Sequence, residues 1–322
     1  MTLRRRLLLQ AAAASAFAAP LTDARAAASQ DGSWLDGRRQ RTVPWRLRLP
    51  AGPGPWPWVI YSHGLGGSRE GGAVWGQAWA DAGTAVLHLQ HAGSDSETLR
   101  GGLGSLRAGA SAEQWLARVL DVRFALDEVE RLAGAALAPW HELRRDAVGM
   151  AGHSFGAHTT QALAGQRFPA ATDAAEPRLR AFVALSPSAP RGADWTVQQA
   201  FGGVQSPFLA ITGSLDGDPF GSYDGGDSRA RVYDGLPLGQ RALLWLQGAD
   251  HMSFGGGSVR RVQAFGPFRR HGSAAEQEPA HHALVARITM LWWRAHLLGD
   301  AQALAALRAP QPLGEGDRFV LG

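Results

Sequence analysis

The chain has 322 residues, 45% of them hydrophobic and 19% charged, so it can bury a large core and is too apolar to be disordered or fibrous. Its 32 basic residues are all arginine and face 28 acidic ones, a formal net charge of +4. It contains no cysteine, so disulfides contribute nothing in any compartment and stability rests on the core.

At the N-terminus, Arg4, Arg5 and Arg6 precede an apolar run over 7–19, and Ala24-Arg25-Ala26 offers small residues at cleavage spacing. That three-part pattern predicts an export signal over 1–26, the alternatives being a basic tail or an anchor. The arginines followed by Leu7 and Leu8 resemble twin-arginine signals, whose cargo crosses the membrane folded, which implies a periplasmic or secreted mature protein. The apolar run is too short for a stable membrane span. Loss of 1–26 removes four Arg and one Asp, so the net charge drops from +4 to +1. The main support for a nucleic-acid partner goes with it.

The remaining chain, 27–322, is expected to form one domain, because Gly and Pro are scattered as punctuation and no solenoid-type repeat occurs. Alternation over 43–49 predicts an early strand, 50–57 a stiff turn, and 58–62 a buried strand leading into a glycine cluster. Another β-rich run covers 84–89. Trp115, Leu116, Val119, Leu120 and Phe124 recur at helical spacing and predict a helix within 112–132. Buried strands are predicted at 147–151, 181–185, 208–212 and 241–247, with helices at 155–166 and 283–298. Such alternation predicts an α/β fold, a mostly parallel sheet with helices on both faces. Ligands should gather at the carboxyl ends of its strands.

Gly152-His153-Ser154-Phe155-Gly156 matches G-x-S-x-G, although a chain with 41 Gly and 19 Ser supplies roughly 0.3 such matches by chance. Its context is informative, since an apolar strand precedes it and a helix follows. A serine on that sharp turn is exposed at the sheet edge, and glycine on either side lets strand and helix approach closely. A hydroxyl is a poor nucleophile at neutral pH, so it needs an imidazole to take its proton and an acid to orient the imidazole. Asp216 follows the 208–212 strand and His251 follows the 241–247 strand, in the chain order such a triad requires. Asp218 and Asp250 are the rival acids. Acyl transfer also needs two backbone N–H groups facing the developing oxyanion. Phe155, after the nucleophile, supplies one; Leu65, in Ser62-His63-Gly64-Leu65-Gly66-Gly67, is assigned the other.

Together, segments 61–67, 152–157, 212–216 and 249–252 resemble the α/β-hydrolase superfamily. More narrowly they resemble the platelet-activating factor acetylhydrolase-like esterases and their bacterial relatives, often labelled predicted dienelactone hydrolases. The resemblance implies Leu65 and Phe155 as the oxyanion hole and no requirement for a metal or organic cofactor. Two departures stand out. In the platelet-activating factor branch the acid follows the strand after the nucleophile helix, where this chain has Ser186, so Asp216 is more similar to the acid of cutinases and polyester hydrolases. Dienelactone hydrolases proper use a cysteine nucleophile, which this chain lacks.

Trp195 occupies the segment where polyester-hydrolase relatives carry a pocket aromatic, and it could stack on an acyl group or fill a gap beneath a loop. Stretches 93–111 and 253–279, the latter with Arg260, Arg261, Arg269 and Arg270, are rims over the cleft or solvated loops. The spacing of Asp216, Asp218, Asp224 and Asp227 is that of a calcium loop spoiled by Phe220, and His281-His282 lacks a metal-spaced partner, so neither is assigned a metal. The expected function is a secreted serine hydrolase of carboxylic esters, short-chain or acetyl, acting on a small-molecule substrate through an acyl-enzyme. Polyester, cutinase-type or lipase activity, transfer to an alcohol, and a non-catalytic binding protein on the same fold stay open.

Overall fold

Apolar runs too short to be helices, and buried on both sides, become the middle strands of one twisted sheet. In the computed structural model, which describes residues 27–169, 173–190, 194–217, 225–257 and 272–322, nine strands join in a single sheet. In chain order they are β1 (Ala28–Asp36), β2 (Arg41–Leu49), β3 (Trp56–Ser62), β4 (Ala85–Leu89), β5 (Leu143–His153), β6 (Ala181–Leu185), β7 (Phe208–Leu215), β8 (Arg241–Asp250) and β9 (Arg318–Leu321). Their spatial order is β1-β2-β4-β3-β5-β6-β7-β8-β9. β4, β3, β5, β6, β7 and β8 run parallel to one another, while β1, β2 and β9 extend the sheet antiparallel at its edges. The expected export signal at 1–26, Asp218, Phe220, Asp224 and the arginines at 260, 261, 269 and 270 lie outside the described residues.

The helices are α1 (Ala73–Asp81), α2 (Ser96–Arg100), α3 (Gly102–Gly109), α4 (Ala112–Gly134), α5 (Phe155–Leu163), α6 (Val197–Phe201), α7 (Gly226–Gly235), α8 (Gly272–Leu298) and α9 (Ala301–Arg308). Strand side chains alternate between two apolar clusters, so Ile60 points to one face and Val59 and Tyr61 to the other. Val119, Val122, Ala157, Ala162, Phe201 and Val232 bring α4 to α7 onto the first face. Trp75, Trp79, Ile288, Trp292, Trp293 and Leu307 bring α1, α8 and α9 onto the second. Full burial of such side chains contributes about 1.5–3 kcal/mol each for the aliphatic and Phe members. Among the described residues no helix is long and apolar enough to cross a membrane.

Two features depart from the sequence expectation. β1 was not expected, because its residues are polar and half-exposed, and it exists by pairing along its whole length with β2, Ala28 opposite Leu49 and Asp36 opposite Arg41. The 93–111 stretch is not an open loop: it holds α2 and α3 and leads into α4, whose N-cap Ser111 accepts from the Gln114 amide at 3.3 Å.

The chain leaves β3 for β4 on one side and then crosses by α4 to β5 on the other. The direction of winding therefore reverses between β3 and β5, and a crevice opens at their carboxyl ends. The loop after β3 carries His63, Gly64 and Leu65; the turn after β5 carries Ser154.

Candidate active site

Ser154 occupies the turn between β5 and α5 with φ 56° and ψ −115°, a conformation costing about 1–3 kcal/mol for a residue with a side chain. Flanking packing holds it there. A Cβ on Gly152 would lie 2.3 Å from the Gly156 carbonyl oxygen, and one on Gly156 would lie 1.9 Å from the Ser62 carbonyl oxygen. The Ser154 amide donates to the Leu185 carbonyl at 2.9 Å, tying the turn to the end of β6.

His251 opens the short 3-10 turn His251–Phe254 directly after β8, and Asp216 follows β7. Imidazole Nδ1 lies 2.7 Å from Asp216 Oδ1, and Nε2 lies 2.9 Å from Ser154 Oγ. A carboxylate only accepts, so Nδ1 carries the proton and Nε2 is left to accept from the serine hydroxyl. Asp216 is fully buried, and its other oxygen accepts from Thr212 Oγ1 at 2.8 Å. Asp250, the rival, turns away: its carboxylate caps the 3-10 turn, accepting from the Ser253 amide and hydroxyl, both at 2.9 Å.

The Phe155 amide is the first of α5 and has no acceptor inside its helix. Across the crevice, a Cβ on Gly64 would lie 3.4 Å from Ser154 Cβ, so the Gly64–Leu65 peptide borders the serine. Among the described residues the Leu65 amide has no backbone acceptor either, although Gly66 N–H donates to Ser94 O at 2.9 Å and Gly67 N–H to Gly64 O at 3.0 Å. The loop after β3 and the first turn of α5 thus each bring to the neighbourhood of Ser154 an amide with no backbone acceptor among the described residues. Trp195 stands just before α6 and is half-buried against the first core cluster.

No family model and no curated protein sequence matches the chain. Among solved structures it is similar to the 2,6-dihydroxy-pseudo-oxynicotine hydrolase, with 16% identity and a TM-score of 0.53, over 84% of this chain and 68% of that one. The chain has the α/β-hydrolase fold. At this identity the likeness concerns architecture alone.

Three residues that sequence reasoning passed over join the site of this α/β-hydrolase fold. Arg229, on α7, is buried beside the acid; its Nε lies 2.7 Å from the Asp216 carbonyl and 3.1 Å from Oδ1, and Nη1 donates to the Pro187 carbonyl at 2.9 Å. His153 donates Nε2–H to the His251 carbonyl at 2.9 Å; burial, then the adjacent His251, brings its pKa down to about 3, so it is a neutral brace. Arg118, on α4, is fully buried, with Nη1 2.6 Å from the His63 carbonyl, Nε 2.8 Å from Ser94 Oγ, and its guanidinium 4.5 Å from the Phe155 ring centre. Burial lowers it to about 9, which leaves it charged at neutral pH. The available signal was an arginine on the apolar stripe of a helix: Gly226, Arg229 and Val232 on α7, Arg118, Val119 and Val122 on α4.

Beneath Arg118 lies a second, wholly buried Ser-His-Asp chain. Ser62 Oγ donates to His91 Nε2 at 2.9 Å, and His91 Nδ1 donates to Asp121 at 3.0 Å. Asp121 also receives Arg39 at 2.8 Å and Arg41 at 2.8 and 2.9 Å. Ser62 has no exposed surface, so this chain is scaffolding for the end of β3.

Proposed function

We propose that this chain is a secreted serine hydrolase of carboxylic esters with short acyl groups. The observation that carries the reading is the single imidazole, His251, bonded to Asp216 through one nitrogen and to Ser154 through the other. That arrangement supports proton transfer in one direction, from hydroxyl to Nε2, with the resulting imidazolium stabilised by the buried carboxylate.

In the proposed sequence, Ser154 Oγ attacks the ester carbonyl carbon as its proton passes to His251 Nε2. The carbonyl oxygen becomes an oxyanion held by the Leu65 and Phe155 amides. Collapse breaks the ester bond; the alkoxide leaves with the proton from His251, and Ser154 remains acylated. Water then gives a proton to His251 and its oxygen to the acyl carbon, and a second collapse releases the acid and restores Ser154. Atoms balance without a cofactor taking part. Export through the twin-arginine-like segment is part of the proposal, and the absence of cysteine is compatible with an oxidising compartment.

Wild type and Ser154→Ala, measured side by side on 4-nitrophenyl acetate and with a fluorophosphonate probe, test the reading. The variant is expected to lose turnover by about 10⁶-fold and to take up no probe. A Ser154→Ala protein hydrolysing the ester at the wild-type rate, or a folded wild type that takes up no probe, would overturn it.

A further inference from the structure

An oxyanion hole built from two separate segments works only if their N–H groups keep a fixed spacing, and here the segments are the loop after β3 and the first turn of α5. Arg118 has a side chain that touches both. Its Nη1 donates to the His63 carbonyl at 2.6 Å, its Nη2 reaches the Gly64 carbonyl at 3.5 Å, and its plane lies over the Phe155 ring at 4.5 Å. The remaining donors are committed to the same region, Nε to Ser94 Oγ at 2.8 Å and Nη2 to the Ser94 carbonyl at 3.3 Å.

A peptide unit is planar and trans, so its C=O and N–H point in opposite directions. Fixing the Gly64 carbonyl therefore fixes the Leu65 N–H. That carbonyl accepts from His63 Nδ1 at 2.7 Å and from the Gly67 amide at 3.0 Å. The His63 ring is itself oriented by the His91 amide, which donates to its Nε2 at 3.1 Å, leaving Nδ1 to carry the proton. Arg118 adds what those local bonds lack, a link from this loop to α5. The Ser62-His91-Asp121 chain holds the strand end beneath it.

Resting on the esterase reading above, we infer that Arg118 is a positioning residue for the oxyanion hole: by binding the His63 carbonyl and covering the Phe155 ring, it sets the spacing between the Leu65 and Phe155 amides. Arginine suits this role because its planar fork binds two carbonyl groups along its edge and an aromatic ring on its face.

The test uses the full chain. Wild type and Ser154→Ala are assayed first on 4-nitrophenyl acetate; without Ser154-dependent turnover in the wild type, both readings fall together. With that turnover in hand, Arg118→Met is expected to lower kcat by about 100-fold, the effect of a displacement near 1 Å, with KM within about twofold. Inhibition by a trifluoromethyl ketone, which adds to Ser154 as an oxyanion, should weaken by the same factor. Arg118→Lys should recover part of the loss. Phe155→Leu, which keeps the amide and removes the ring, should lower kcat about 10-fold and add little to the loss in an Arg118→Lys background. The comparison variant is Arg131→Met, at an exposed position of the same helix. If Arg118→Met folds and keeps kcat within about threefold, or loses kcat while the ketone binds as to wild type, the inference is overturned and the esterase reading stands. If Arg118→Met does not fold, full turnover in Phe155→Leu overturns it alone.

Discussion

A Gly156→Ala variant tests whether the close approach of α5 to β3 is what aligns the proposed catalytic groups. The added methyl would sit 1.9 Å from the Ser62 carbonyl oxygen, 2.6 Å from the Ser62 carbonyl carbon and 2.9 Å from the His63 carbonyl oxygen. All three are backbone atoms, so no side-chain rotation relieves the overlap, and real Cβ atoms essentially never approach another heavy atom under 3.0 Å. Helix and strand end must therefore part by about 1 Å, the scale on which misplacement costs about 100-fold in rate. The displaced pieces are those carrying Ser154 and Phe155 on one side and the Leu65 amide on the other. We expect kcat on 4-nitrophenyl butyrate to fall about 100-fold, equal to about 3 kcal/mol of lost transition-state stabilisation, with little change in KM. Overpacking should also lower stability by about 1–3 kcal/mol, or several degrees in Tm. Active-site titration separates slow enzyme from dead enzyme. Gly134→Ala, whose added methyl has a single neighbour at 3.9 Å, is the control and should be neutral or slightly stabilising. A soluble Gly156→Ala enzyme with kcat within threefold of wild type would refute the reasoning.

Asp216→Asn should lower kcat by about 10⁴-fold by destroying the preference for protonated Nδ1, whereas Asp250→Ala should cost about 1 kcal/mol of stability through its lost cap and leave kcat within a few-fold; steady-state kinetics with thermal melts distinguish the two. Asp121→Asn should destabilise by about 3–5 kcal/mol at pH 7, because Arg39 and Arg41 lose their buried counter-charge. Burial alone would raise Asp121, but hydrogen bonds from His91 and Arg41 outweigh it and bring its pKa from 3.8 to about 2. A carboxylate lowered on folding adds stability above its unfolded pKa and loses it as pH falls through the folded one. The gap between wild type and Asp121→Asn, followed by urea denaturation from pH 5 to pH 2, should therefore narrow below about pH 4; a gap independent of pH would count against this account.

Much of the fold is legible in the amino-acid sequence alone. Segment 181–185 reads as a strand because a strand buried on both faces is a continuous apolar run, and β6 has those bounds. Strand ends were placed less well: β5 begins at Leu143, four residues before the apolar run, where Arg144, Arg145 and Asp146 still meet solvent. β1 escaped notice because its polar alternation acquires meaning only beside β2. Near Ser154 the same divide holds. The motif, the order of Ser154, Asp216 and His251, and their positions after strands are properties of a one-dimensional pattern. That His251 faces Asp216 while Asp250 caps the turn beyond β8 depends on how neighbouring strands end in space. Arg118 and Arg229 lie on helices and meet partners well outside their own elements, His63 for one, 55 residues away, and Asp216 and Ser186 for the other, 13 and 43 residues away. Local periodicity records which face of a helix is buried, and it carries no information on which distant backbone carbonyl will meet a buried charge, since that is settled only when the sheet has assembled and the helices have packed against it.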